Sequence, residues 1–443
     1  MGIEGFVNKI KDAGVVGAGG AGFPAYMKLG GPAEYVIVNG AECEPLLRVD
    51  QQLMADRAAD IIEGLSLIAE QTKAKHAVIA LKEKYKDAIR ALTKALNGRT
   101  DIILHTLGAF YPAGDEQVLV YEVTGRIVPE GGIPIAVGCV VCNAETVLNI
   151  RDVLQEGKPV TEKYLTVAGE VRQPLSVRVP VGISIEEAIG LAGGAACGDY
   201  AVINGGPMMG KVTGKGSVVT KTTKGLIVLP ESHPLIVTMT KDMKRMLREA
   251  RTACMHCSLC TEVCPRKMLG HRIEPHKLIR IASYGSICDA RESLTMANLC
   301  VECRLCQYAC VQDLQPWRVN AMLKKDLKER GVAPDYKAAP AKAHPFREYG
   351  RYNVHRLGIQ LGIDRYDAPA PFSTCRIRFG KVTIPMSQHI GAPASPCVAK
   401  GGRVKAGDIV GAAREEAMGC PVHASIDGVV TEVTEASVVI EAE

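Results

Sequence analysis

The apolar positions of this chain change period several times along its length, and each change marks a new unit. Ile3, Phe6, Val7 and Ile10 recur at helical spacing, as do the apolar residues of 51–71 and 83–96. Between them, short apolar runs at 35–38, 76–82 and 102–107 predict buried strands, and strands alternating with helices give an α/β layer. From about Pro159 the pattern shortens. Residues 164–169, 175–179, 200–204 and 225–229 read as strands with a single helix at 184–191, a β-grasp-like α+β module. Helical spacing returns at 242–253, 275–284 and 290–297. The segment 331–371 is rich in Ala, Pro, Arg and Tyr, carries one helix at 354–361, and predicts a strap lying over other domains. Short strands and Gly turns fill 382–443.

Length requires several cores: 443 residues exceed what one hydrophobic core supports. The pattern divides the chain into residues 1–157, 158–238, 239–330, a linker or strap at 331–378, and 379–443. The net charge of +5 and 5% aromatic residues argue against a nucleic-acid partner. Sixteen Cys raise the question of compartment. Residues 1–12 have no apolar core of a signal peptide and no apolar run reaches membrane-span length. A reducing, anaerobic cytoplasm is therefore expected, with the non-cluster Cys as free thiols.

Eight of the Cys carry the most specific signal. C-M-H-C-S-L-C-T-E-V-C-P begins at Cys254, and C-V-E-C-R-L-C-Q-Y-A-C begins at Cys300, each a C-x₂-C-x₂-C-x₃-C run. Three thiolates at that spacing wrap one cubane, and the fourth points at the other cluster. Cys254, Cys257, Cys260 and Cys310 are thus expected to hold one [4Fe–4S] cluster, and Cys300, Cys303, Cys306 and Cys264 the other. Zinc sites use paired C-x₂-C units and fit these runs poorly. About 35 residues separate the runs, more than in a compact ferredoxin, which indicates a helical two-cluster domain.

A second signal is G-V-V-G-A-G-G-A-G-F-P from Gly14, whose glycines let backbone N–H groups approach a ligand. Pro24 suits the first turn of a helix whose N-terminus would favour phosphate. Gly17, Gly19 and Gly22, with Glu42 downstream, also satisfy the dinucleotide fingerprint G-x-G-x-x-G. A helix rather than a strand precedes the loop, and 23–33 is too short for a crossover helix, so a Rossmann unit is disfavoured. The lone C-x₂-C of Cys139 and Cys142 reads as packing, N-G-G-P-M-M-G at 204–210 as a tight turn, and the basic face of 242–253 as solvated.

G-A-G-G-A-G-F-P-A-Y-M-K-L, V-N-G-A-E-C-E-P-L-L-R-V-D-Q-Q-L-M, Y-P-A-G-D-E-Q and the twin cysteine runs resemble the RnfC-like flavoproteins, PduS-type reductases among them. These are relatives of the NADH-oxidising, FMN-binding subunit of respiratory complex I. The resemblance implies an FMN/NADH-binding α/β domain, an SLBB β-grasp domain and a two-cluster helical ferredoxin domain. S-Q-H-I-G-A-P at 387–393 and P-V-H-A-S at 421–425 are similar to the Rnf barrel-sandwich domain, of biotinyl/lipoyl type. E-A-M at 416–418 matches the attachment motif, but Gly419 stands where an acceptor Lys would be. In the membrane Rnf complex this domain precedes the flavin domain; here it comes last, as in PduS-type reductases and in RnfC-like subunits of soluble complexes.

By the same resemblance, Gly17, Gly19, Gly20 and Gly22 line FMN and Lys28 reaches its phosphate. Asn39, Glu42, Tyr111, Gly114, Asp115 and Asn143 surround its ribityl chain and ring. Phe23 stacks on NADH, and Glu44 and Glu116 contact it. The chain departs from the complex I pattern at Ala41, Ile133 and Glu130, where relatives carry acidic, aromatic and basic residues. The implied activity is hydride transfer from NADH to FMN, then single electrons through two clusters, with no acid–base residue. The implied acceptor is a redox partner in a hetero-complex: a corrinoid enzyme or adenosyltransferase, or a methylenetetrahydrofolate reductase. Alternatives are a peripheral subunit of the membrane Rnf complex, and a non-catalytic iron–sulfur relay. Location in the cytoplasm, in a microcompartment or at a membrane periphery accords with each.

Overall fold

The computed structural model describes residues 2–214, 216–284, 291–336, 342–373, 377–414 and 417–443. Its first unit is a four-stranded parallel sheet in the order Ile102–Leu107, His76–Lys82, Tyr35–Gly40, Cys139–Asn143. In register, Tyr35 lies opposite both His76 and Cys139. The chain winds outward from Tyr35–Gly40 through two strands, then returns to add Cys139–Asn143 on the other side of that first strand. The order reverses there, and in open α/β sheets the crevice at the carboxyl ends of such strands takes the ligand. Asn39 and Asn143 stand in register at those ends.

The expected helix at 51–71 is two helices, Val49–Asp56 and Ala58–Gln71, broken at Arg57 (φ −118°, ψ 33°). The Arg57 guanidinium pairs with Asp60 and lies 3.6 Å from Asp152, contacts the periodicity could not foretell. Glu116–Thr124 and Ala144–Glu156 add helices capped by Asp115 and Asn143, whose side chains accept backbone N–H bonds of the first turn.

The β-grasp sheet has six strands in the order Phe372–Ser373, Leu175–Pro180, Glu162–Gly169, Gly225–Pro230, Tyr200–Asn204, Lys211–Thr213. Its expected helix, Ile185–Leu191, opens on a Ser184–Glu187 capping box. It is not alone: Pro234–Met239 is helical and runs across residue 238. The C-terminal unit has a four-stranded and a three-stranded sheet. It does not stand apart, because Val382, Ile384 and Val430 share one core with Val177, Val179 and Ile183 of the β-grasp module. The Thr383 N–H donates to the Gly182 carbonyl at 2.8 Å. A Cβ on Gly182 would fall 2.7 Å from the Thr383 oxygen, so only glycine permits the approach.

Met243–Ala253, Pro275–Tyr284 and Pro316–Glu329 form the helical unit, with Met246, Leu278, Ile279 and Val319 in its core. Arg291–Thr295 and a 3₁₀ turn, Met296–Leu299, occupy most of the helix expected at 290–297; Ala290 lies outside the described residues. So do 337–341 of the strap and Glu416 of the E-A-M match. The rest of the strap ties domains together. Arg347 and Arg351 pair with Glu122, Tyr352 lies opposite Tyr111 in a two-stranded ladder, and Phe372 lies opposite Ser176. Among the described residues no helix is long and apolar enough to cross a membrane.

Candidate flavin crevice and cysteine centre

The glycine loop closes the crevice on one side. Gly17 N–H donates to Phe23 O at 2.8 Å and Gly22 N–H to Gly17 O at 3.2 Å, which draws the loop into a tight arc. A Cβ on Gly19 would touch Asn143 at 3.5 Å, so the loop lies over the end of the Cys139–Asn143 strand. Gly20 has φ +114° and nothing within 4 Å of where a Cβ would project. That open space over bare backbone fits a flat ligand held by N–H groups, and FMN meets the description. Pro24 does not open an α-helix. It precedes a single 3₁₀ turn, Ala25–Lys28, too short for the aligned dipoles expected to attract phosphate.

Around this loop the structure gathers most of the side chains implied by the resemblance. Lys28 forms an ion pair with Glu116, donates to Val141 O at 3.2 Å, and stands 5.6 Å from the centre of the Phe23 ring. The Asn39 amide donates to Gly114 O at 2.9 Å. Glu42, at φ 31°, accepts the Asp50 N–H at 2.9 Å. Burial, then the nearby Asp50 carboxylate, pushes the Glu42 pKa up to about 7. Of the positions departing from the complex I pattern, Ala41 is buried, Ile133 is exposed, and Glu130 accepts from the backbone and side chain of Arg272.

Glu44 and Asp115 have other partners. Both Glu44 oxygens accept backbone N–H groups of the 204–210 loop, from Met208 at 2.8 Å and Met209 at 2.9 Å. The loop read as a simple turn is thus a joint between the first two units, and Arg304 joins it by donating to Gly210 O at 2.7 Å. Asp115 caps its helix and forms a bidentate pair with Arg266, at 2.6 and 3.0 Å. Tyr111 is 1% exposed, and its hydroxyl donates to the Cys303 carbonyl at 2.9 Å.

A buried ionic network beneath the loop escaped sequence reasoning. Lys163 and Lys224, both from the β-grasp unit, meet Glu145; Lys224 also reaches Asp50 at 2.6 Å. Asp50 in turn accepts the Asn143 amide at 2.8 Å, and Lys163 donates to Ala18 O in the glycine loop at 3.2 Å. Burial pushes Lys163 down to about 8, while Glu145 is held below the usual carboxylate range because the two lysines outweigh its burial. The C-terminal unit reaches the loop as well: Ile390 N–H donates to Gly22 O at 3.0 Å, and Lys221 spans Gly14 O and Pro421 O at 2.8 and 3.2 Å. Single lysines in strands carry no spacing signal, so only the 387–393 and 421–425 motifs hinted at this contact.

The two cysteine runs have matching backbones. His256 and Ser258 sit at φ 58° and 61°, and Glu302 and Arg304 at φ 58° and 63°. Left-handed residues at the same two places turn successive N–H groups inward, a concavity suited to an anionic group. The thiols fall into two sets. After burial, Cys260 is raised by Cys310, Cys254 and Cys257, to about 12. Cys303 is raised by burial, then Cys264 and Cys300; Cys306 by burial, then Cys300, Cys303 and Cys264. One cavity is lined by Cys264, Cys300, Cys303 and Cys306 together. Among the described residues no three metal-ligating side chains converge tightly enough for a single ion; a cubane spaces its four thiolates more widely. Cys139 and Cys142 are buried in their strand and serve packing. All described cysteines are free; Cys288 and Cys375 lie outside the described residues.

Family models match in the same order as these units. The "Nuo51 FMN-binding domain" matches residues 10–152, the SLBB domain 164–212, the "4Fe-4S dicluster domain" 253–315 and the "RnfC Barrel sandwich hybrid domain" 373–443. The chain is an FMN- and iron–sulfur-dependent oxidoreductase subunit of NADH-linked electron transfer. It belongs to the PduS family: it is 44% identical to cobalamin reductase PduS of Citrobacter freundii over 98% of this chain and 95% of that one. The Salmonella typhimurium PduS matches equally, at 44% over the same shares. The RnfC-type component of the Na⁺-translocating ferredoxin:NAD⁺ oxidoreductase complex of Acetobacterium woodii is 34% identical over 58% of this chain and 56% of its own.

Proposed function

We propose that this chain oxidises NADH and delivers single electrons to a corrinoid, directly or through a partner that holds it. The observation that carries this reading is the joint between crevice and cysteine centre, where Tyr111 and Asp115 bind the segments around Cys303 and Cys264. Bound FMN would take an electron pair as hydride and give it up singly, and two [4Fe–4S] clusters would carry single electrons onward. This chain's residues supply position. The loop N–H groups of Gly17, Gly19, Gly20 and Gly22 hold the flavin's polar tail. Asn39, Glu42, Gly114 and Asn143 flank it at the strand ends. Phe23, with Lys28 and Glu116 beside it, faces the dinucleotide. Cys254, Cys257, Cys260 and Cys310 would hold one cluster, and Cys300, Cys303, Cys306 and Cys264 the other. No proton-transferring side chain is needed for hydride transfer.

Corrinoid as acceptor rests on the near-complete match to cobalamin reductases. The match to the ion-translocating complexes spans little more than half of this chain, which favours it less. Anaerobically reconstituted protein with FMN and NADH should convert cob(III)alamin to the spectrum of a reduced corrinoid. Reduction of menadione but not of any corrinoid would leave the NADH reading standing and remove the acceptor. Failure to bind FMN would favour the non-catalytic relay.

A further inference from the structure

Resting on the reading above, we propose that the cluster site of Cys254, Cys257, Cys260 and Cys310 is the electron exit, and that its rim docks an acidic one-electron carrier protein. Two differences between the otherwise matched cysteine runs carry this. The first is burial. Cys303 and Cys306 are buried, and Tyr111, Asp115–Arg266 and Arg304 lock that set against the flavin unit and the 204–210 loop. Cys257 is exposed, and Cys254, Cys260 and Cys310 are only half-buried. Cys306 also feels Cys260, so the two sets adjoin and electrons can pass inward to outward.

The second difference is the surface. Next to the outer thiols, Met255 and Val311 are each 61% exposed and Leu259 is 36% exposed. Apolar side chains that water surrounds at a redox centre are a common feature of a docking patch. The helix leading into this run, Met243–Ala253, presents Lys244, Arg248 and Arg251 to solvent. Its Glu249 is engaged by Lys241 and Arg245, leaving the exposed face basic. An apolar spot flanked by a row of cations selects a partner with an acidic rim, steering it at low salt and excluding basic proteins. Electrons balance simply: one NADH becomes NAD⁺ and a proton, and its two electrons each reduce one oxidised carrier molecule. No bond forms at the surface.

The test uses the full chain with both clusters and an acidic [2Fe–2S] ferredoxin as probe. Its binding is measured by calorimetry in the oxidised state, without turnover. Wild type should bind it, more weakly as salt rises, and Lys244→Glu with Arg248→Glu should weaken binding at least tenfold. The same double variant should bind basic cytochrome c more tightly, a reversal that general damage would not give. In the complex, carrier EPR relaxation should be enhanced by the reduced outer cluster, surviving Cys303→Ser and lost in Cys257→Ser. No ferredoxin binding by wild type, equal binding by the variant, or the reverse cysteine dependence overturns the proposal. A wild-type dimer that the double variant dissolves assigns the face to a second copy and also overturns it. Menadione reduction by NADH, unchanged in Lys244→Glu with Arg248→Glu, reports on the function reading separately.

Discussion

The Tyr111 hydroxyl donates to the backbone carbonyl of Cys303 at 2.9 Å, and both residues are buried. A residue at the mouth of the flavin crevice is thereby fixed to the backbone that presents a cluster thiol. Tyr111→Phe removes one hydrogen bond and leaves a buried carbonyl unpaired, a loss of about 1–3 kcal/mol. The expected outcome is a lower melting temperature and slower flavin-to-cluster transfer in stopped-flow, with NADH-driven menadione reduction retained. Wild-type transfer kinetics in Tyr111→Phe would detach this contact from the electron path.

Asp115 and Arg266 hold the same joint by charge. Their side chains are 13% and 7% exposed, so removing one partner strands the other. Arg266→Met should destabilise by roughly 3–5 kcal/mol, and adding Asp115→Asn should recover part of that. A double variant no better than the single, by thermal melting, would show that the pair is not acting as a pair.

Lys224 lies in the β-grasp unit, yet it reaches Asp50, which holds Asn143 in the crevice. Lys224→Met is therefore expected to weaken FMN binding at least tenfold, read by flavin fluorescence in protein whose cluster absorbance is intact. Gly20→Val should abolish FMN binding, because a side chain would fill the open cradle and φ +114° is strained for any L residue.

Burial raises Glu44 to about 7, against an ordinary carboxylate near 4.5. Its folded pKa exceeds its unfolded value, so the folded state binds the extra proton between these limits. The unfolding free energy then falls as pH rises from about 4.5 to about 7, by on the order of 3 kcal/mol for this group. Glu44→Ala removes that dependence, so its destabilisation relative to wild type should be smaller at pH 8 than at pH 5. Equal differences in melting temperature at both pH values would contradict the raised pKa.

How much of this was legible in the sequence varied with the kind of signal. Twin cysteine runs declare their chemistry by spacing, and the parallel strands by their apolar runs. The break at Arg57 and the partners of Glu44 were not legible, because both depend on groups far away in the chain. Lys163, Lys224 and Glu145 illustrate the limit: three ordinary charged residues become one buried network only once two units pack. The glycine loop was recognised, but its supports from Lys221 and Ile390 come from beyond the flavin unit.

The central claim is that electrons from NADH reach the acceptor only through the cysteine centre. Cys257→Ser combined with Cys303→Ser removes a ligand from each set, with the flavin crevice untouched. NADH-driven reduction of menadione and of a protein acceptor should be measured side by side in this variant and wild type. The account predicts that menadione reduction persists and protein-acceptor reduction is lost. Protein-acceptor reduction at the wild-type rate would contradict it, placing the clusters off the path.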